Sequence, residues 1–316
     1  MEMKILGSSN LRTAPIIFGG NVFGWTANKN ESYKLMDEML DLGINMIDSA
    51  DVYSRWASEN KGGESERIIG EYLNDRKNRE DLIIATKVGS SMQQGGDKDI
   101  SEAHIIEAIE DSLNRLKTDY VDLYFTHWDD NKTPVEETLG AYEKLIKQGK
   151  VRYIGASNLS PERLQESLDA ARTNNLPKYE VYQPEYSLAV RDKYEGKTQQ
   201  ICMDNNLGVT GYFSLASGFL TGKYQSKEDI KGTDREQFLK SYFDERGKKI
   251  LKALKDISDH HNISQAAIAL MWIMQRPGIT APIASASKPE HLQSFKEAMN
   301  MELSTEEMEK LNQASG

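Results

Sequence analysis

Apolar and polar positions recur in a fixed order along this chain. A charged stretch with apolar residues at helical spacing ends at glycine, and a short apolar run follows. Residues 35–42 lead to Gly43 and then 44–48; 142–148 lead to Gly149 and 151–155; 201–207 lead to Gly208 and 209–213; 272–276 lead to Pro277-Gly278 and 279–283. Glycine closes a helix because the left-handed conformation costs it little. Unbroken apolar runs suit strands covered on both faces. Thr133-Pro134 and Ser160-Pro161 each put a hydroxyl cap before a proline at the first helical position, and Ser304 with Glu307 fits a capping box.

The pattern predicts eight strands, near 15–19, 44–48, 82–87, 121–127, 151–155, 180–183, 208–213 and 279–283, with helices between them. Eight alternating units without a linker argue for an α/β fold of the (β/α)8 (TIM) barrel type, one domain over 1–316. A doubly wound sheet is the alternative, but no G-x-G-x-x-G follows a strand, and residues 19–24 have the wrong spacing. The interval between the seventh and eighth strands is long. It holds an expected loop at 218–230 and a charged helix near 235–258, a place where barrels carry lids or ligand clamps.

Composition narrows the class. The chain has 316 residues, 38% hydrophobic and 28% charged, which is enough to bury a core and excludes a disordered polymer. A net charge of −10 argues against nucleic acid or an anionic membrane as partner, while a local basic pocket for one small phosphate stays compatible with it. The single cysteine, Cys202, excludes an internal disulfide or thiolate cluster and reads as a small buried helix residue in a reducing, cytoplasmic setting. Residues 1–10 show no signal-peptide pattern, and the apolar run 266–274 is far shorter than the roughly 20 residues a bilayer span needs.

Active sites of such barrels lie where the strands end. Strand two ends in Asp48, with Tyr53 five residues on; strand three ends in Lys87; strand four ends in His127. A lysine closing an apolar strand needs a partner, and Asp48 on the neighbouring strand supplies one. A phenol titrates near about 10, and an ammonium beside it is expected to lower that value. Tyr53 would then donate a proton to a developing alkoxide, with His127 donating a second hydrogen bond to the same oxygen. Asp48, Tyr53, Lys87 and His127 thus form a proton-delivery set for carbonyl reduction, and the electrons must come from a separate hydride carrier. His104, His260, His261 and His291 show no ligand spacing, so no metal is expected there. Asp129-Asp130 reads as a solvated loop. Trp25, Trp56 and Trp128 follow strands one, two and four and would either line a substrate pocket or pack the loops.

Six segments in order carry a resemblance: 44–53 (INMIDSADVY), 85–89 (ATKVG), 124–128 (YFTHW), 154–158 (IGASN), 182–187 (YQPEYS) and 218–224 (GFLTGKY). Over nearly its whole length the sequence resembles the aldo-keto reductase family. The resemblance implies an NADPH-dependent reductase with Asp48, Tyr53, Lys87 and His127 catalytic. It further implies that Ser157, Asn158 and Gln183 hold the nicotinamide carboxamide and that Tyr212 stacks on its ring. The segment through Leu215, Gly218, Leu220 and Lys223 would cover the pyrophosphate, and Ser287 and Lys288 would meet the adenosine 2′-phosphate. Residues 287–290 also read as a helix start, where free backbone N–H groups attract anions. Where members often carry Gln and Asn near the adenine, this chain has His291 and Phe295. The implied partner is a small aldehyde or ketone. The alternative is a slow cofactor-binding regulatory protein, like the potassium-channel β subunits of that family. A metal-dependent barrel hydrolase is set aside, because 18–21 (FGGN) has no His-x-His.

Overall fold

The computed structural model describes residues 2–93, 95–233 and 236–316. Eight parallel strands close on themselves: β3 (Ile17–Gly19), β4 (Met46–Asp48), β5 (Ile83–Val88), β6 (Val121–Thr126), β7 (Val151–Ser157), β8 (Val181–Gln183), β9 (Gly208–Gly211) and β10 (Ala281–Ala284), with β10 pairing β3. A short antiparallel hairpin, β1 (Lys4–Ile5) and β2 (Arg12–Thr13), precedes them. Helices α1 (Lys29–Asp41), α2 (Glu64–Arg76), α3 (Glu102–Leu116), α4 (Val135–Lys147), α5 (Pro161–Asn174) and α6 (Lys197–Asp204) alternate with strands β3 to β9. Between β9 and β10 lie α7 (Glu236–Leu239), α8 (Glu245–His261) and α9 (Gln265–Met274); α10 (Gln293–Met299) and α11 (Thr305–Ser315) end the chain.

The expected barrel is the observed one, and its two faces follow from a side-chain period of two. Met46, Ala85, Leu123, Phe125 and Val181 fill the interior with Leu6 and Leu11 from the hairpin. The alternate residues Ile47, Ile84, Tyr124 and Ile154 meet the helices in a larger outer core. Residues two places beyond each interior residue share its face, so Asp48, Lys87, His127 and Gln183 all lie in the top inward layer. The apolar run 266–274 falls in α9, which is buried from Ala266 to Ile273. Among the described residues no helix is long and apolar enough to cross a membrane.

Several boundaries differ from expectation. The hairpin was not anticipated; it closes the barrel floor, and a Cβ on Gly7 would lie 2.3 Å from the Glu180 carbonyl oxygen. That approach also explains Gly208, which does not end a helix: Asn206 takes the left-handed conformation at φ 51°, and a Cβ on Gly208 would meet the Gly7 nitrogen at 2.6 Å. Gly43, Gly149 and Gly278 do have positive φ, as a helix-ending role requires. Thr133 does not cap α4; Pro134 occupies the cap without a side-chain bond, and Thr133 is held by the Asp130 carboxylate instead. Ser160 and Ser304 cap as expected. The expected loop at 218–230 begins inside a 3-10 segment, Ala216–Thr221. Of the charged helix near 235–258, Arg235 lies outside the described residues; the rest resolves into α7, a 3-10 turn and α8.

Candidate active site

The top layer brings the four strand-end residues together. Lys87 is fully buried, and its Nζ donates to Asp48 Oδ2 at 2.6 Å, to the Ser49 carbonyl at 2.7 Å and to the Tyr53 hydroxyl at 3.0 Å. The Tyr53 hydroxyl also lies 3.4 Å from Asp48 Oδ2. Tyr53 is delivered by a pinned loop: Ser54 adopts φ 74°, its hydroxyl donates to the Phe23 carbonyl at 2.7 Å, and Asn60 Nδ2 bonds the Gly24 and Ser54 carbonyls. The His127 ring packs edge to face on Tyr53 at 6.2 Å. Among the described residues its Nδ1 is buried without a hydrogen-bond partner.

The electrostatics correct one expectation. Burial, followed by the Asp48 charge and hydrogen bond, holds the Tyr53 phenol well above the ordinary tyrosine range. The Lys87 ammonium does not bring it down to that range, because burial and the Asp48 carboxylate, which also pairs with Lys87 at 2.6 Å, outweigh it. Burial also lowers Lys87, against the pull of Asp48. Burial, then the positive charges of Lys87, Arg55 and Lys98, keeps His127 well below the usual histidine value, so its ring is neutral at pH 7.

A hydrogen-bond chain extends from this group across β7 to β9. Gln183 Nε2 donates to Asp48 Oδ1 at 2.9 Å, and the Ser157 hydroxyl donates to the Gln183 carbonyl at 2.8 Å. Asn158 Nδ2 donates to Ser157 Oγ and to the His127 carbonyl, both at 3.0 Å, and the Tyr212 hydroxyl donates to Asn158 Oδ1 at 2.8 Å. Amides and hydroxyls from three strands thus lie beside Tyr53, a donor and acceptor set that fits a flat carboxamide. Among the described residues Gln183 Oε1 accepts no hydrogen bond, which suits that fit.

The remaining sequence candidates are not joined to this chain by any hydrogen bond among the described residues. Leu215 accepts from the backbone of Gly218 and Leu220, in a segment where Phe213, Ala216, Ser217 and Gly218 all have positive φ. Such strain concentrates at ligand-holding backbone. Leu220 is wholly buried. Lys223 is exposed, with Nζ 4.6 Å from the Tyr224 ring. Ser287 is half-buried and Lys288 exposed, just before a 3-10 turn at Pro289–Leu292 rather than a full helix. Phe295 is core, packed on Phe18 at 6.4 Å.

The three tryptophans assemble at the mouth. Trp25 meets Trp56 edge to face at 5.6 Å, Trp56 meets Tyr53 at 5.8 Å, and Trp128 lies 6.2 Å from His127. Asp129 is not solvated as expected but buried and paired with Arg163 at 3.1 Å. Cys202 is buried, and burial pushes its thiol up to about 12. Among the described residues no three His, Cys, Asp or Glu side chains are grouped to hold a metal.

Sequence reasoning passed over the layer beneath. Glu66 is buried, accepts from Thr86 Oγ1 at 2.6 Å and pairs with Arg115 Nε at 2.6 Å. Asp51 is buried with Oδ1 unpartnered; burial, then Glu66, pushes its carboxyl well up. The available signal was Asp51 itself, an acid inside an otherwise small and apolar stretch after β4.

A model of the aldo/keto reductase family matches residues 15–315. The chain is 33% identical to a probable voltage-gated potassium channel subunit beta of Oryza sativa subsp. japonica, over 95% of this chain and 92% of that one. It is 31% identical to an aldo-keto reductase of Bacillus subtilis (strain 168), over 93% and 86%. It is 28% identical to the L-glyceraldehyde 3-phosphate reductase of Escherichia coli (strain K12), over 99% and 92%.

Proposed function

The chain belongs to the aldo/keto reductase family of oxidoreductases, and from that premise we propose that it reduces an aldehyde or ketone to an alcohol with NADPH, residues 1–316 acting as one unit. The observation that carries this reading is the contact of the Tyr53 hydroxyl with both Lys87 and Asp48 at the end of the barrel strands.

Tyr53 is the general acid. Burial and Asp48 keep its proton in place at neutral pH, as donation to a carbonyl oxygen requires. As that proton leaves, the Lys87 ammonium at 3.0 Å stabilises the phenolate, and Asp48 holds Lys87 in position. Neutral His127 offers Nε2 to the same oxygen. NADPH, when bound, supplies the hydride. Ser157, Asn158 and Gln183 would hold its carboxamide and Tyr212 its ring face. The backbone through Leu215, Gly218 and Leu220, with Lys223, would cover the pyrophosphate. Ser287 and Lys288 would meet the 2′-phosphate, so we expect tighter binding of NADPH than of NADH. Equal dissociation constants in a fluorescence titration would remove that pocket. A soluble, cytoplasmic location and a partner limited to the small carbonyl compound belong to the same proposal.

The direct test is Tyr53→Phe. Its kcat should fall by more than about 100-fold while NADPH still binds; full activity would remove Tyr53 from the role. The likeness to potassium channel β subunits favours a second reading, a nucleotide-binding regulatory protein with slow turnover. Steady-state NADPH oxidation at 340 nm against a panel of aldehydes, ketones and sugars separates the two.

A further inference from the structure

Arg55 stands two residues beyond Tyr53 on the loop after β4. Its Nη1 is buried, and none of its side-chain nitrogens has a hydrogen bond or ion pair among the described residues. Of the other half-buried arginines among the described residues, Arg79, Arg115, Arg163, Arg191 and Arg276 are each paired with a carboxylate, and Arg246 donates to the Ser315, Ala189 and Leu188 carbonyls. A guanidinium nitrogen withdrawn from water without an acceptor is costly, and a bound anion would relieve that cost.

The surroundings say what the ligand is. The Arg55 charge reaches His127, as does that of Lys98, whose ammonium lies 4.4 Å from the Trp128 ring beside His127. Lys87 is cancelled by Asp48, but Arg55 and Lys98 have no such counter-charge among the described residues. Two cations without a counter-charge among the described residues thus lie near His127, in a chain with net charge −10. Trp25, Trp56 and Trp128 add apolar surface at the same mouth. A guanidinium fork matches the oxygens of a carboxylate or phosphate.

We propose that Arg55, assisted by Lys98, is the anchor for an anionic group of the substrate, so that this enzyme prefers aldehydes or ketones bearing a carboxylate or a phosphate. The proposal rests on the reductase reading, in which the cofactor phosphates lie with Lys223, Ser287 and Lys288 and leave Arg55 to the carbonyl compound.

Two matched pairs test it: 4-carboxybenzaldehyde against its methyl ester, and glyceraldehyde 3-phosphate against glyceraldehyde. In at least one pair kcat/KM should favour the anion by 10-fold or more, and the pair that does so identifies carboxylate or phosphate as the group. In Arg55→Met that preference should fall at least 10-fold, mainly through KM of the anion, and Arg55→Lys should restore part of it. No preference in either pair, or a preference that survives Arg55→Met, overturns the proposal. A second readout needs no turnover: benzoate or inorganic phosphate should change the tryptophan fluorescence of the wild-type protein saturably, and Arg55→Met should lose the response. If no carbonyl compound is reduced, the reductase reading fails, and this titration still decides whether Arg55 receives an anion.

Discussion

The two ends of the barrel handle buried charge in opposite ways. At the floor, Asp122 near the start of β6 accepts Arg79 at 2.7 Å, Arg152 at 2.8 Å and the Ile84 amide at 2.9 Å. Arg79 also donates to the Leu82 and Tyr120 carbonyls and to Thr118, and both guanidiniums lie 4.0 Å from the Tyr120 ring. At the mouth, the Asp48–Lys87 pair is more deeply buried, but among the described residues His127 Nδ1 and Arg55 Nη1 beyond it are left without a hydrogen bond. A satisfied network rigidifies a fold, whereas an unsatisfied one waits for a ligand. The floor reads as stability and the mouth as chemistry, the division expected of barrels.

Lys87→Met is the sharpest way to break that contrast. Turnover should drop by 10³-fold or more, about 4 kcal/mol in the barrier. The fold should persist, because Asp48 can take up a proton and keep its bond from Gln183. Near-UV circular dichroism and kcat measured together decide this: an unfolded product would make the mouth pair structural, like the one at the floor.

Asp122→Ala should do the reverse. It takes the carboxylate from the largely buried Arg79 and from the Ile84 amide, while the half-exposed Arg152 turns to water, at a cost of roughly 2 kcal/mol in folding stability. The folded fraction should keep its kcat. A lower urea midpoint with unchanged specific activity supports the comparison, and a large fall in kcat with stability intact would contradict it.

How much of this could be read from the residues follows from the same contrast. Alternation along 83–88 and 121–127 fixes which residues point inward, so Lys87 and His127 were legible once the strands were. Helix ends were legible where a glycine has one task, as at Gly43 and Gly149. They were not at Gly208, where the hairpin backbone presses in from residues 170 or more positions away. The sign of the Tyr53 shift was missed for a related reason. The chain announces a lysine near a tyrosine, with Asp48 as the lysine's partner, but the burial of the phenol and the reach of the Asp48 charge to its hydroxyl are set only by the closed barrel. Arg55 and the Glu66–Arg115 pair were invisible, because an absent partner and a contact between α2 and α3 leave no periodic trace.

The smallest expected effect refines the comparison at its middle layer. Asp51 lies between the open mouth and the satisfied Glu66–Arg115 pair, and burial followed by the Glu66 charge raises its carboxyl well above the usual value. Arg115 and Lys87 offset that only in part. The native state therefore holds a proton that the unfolded chain releases near about pH 4. Stability from this group is complete below that value and declines as pH rises towards the native titration, since the folded form then binds more protons than the unfolded one. Asp51→Asn keeps the shape and removes the titration. It should raise stability by about 1 kcal/mol at pH 8 and by less at pH 5, read as urea midpoints at the two values. An equal shift at both would mean that Asp51 is ionised in the fold. In that case the layer under Tyr53 would carry two negative charges against Arg115 alone, and it would belong with the unsatisfied mouth rather than with the floor.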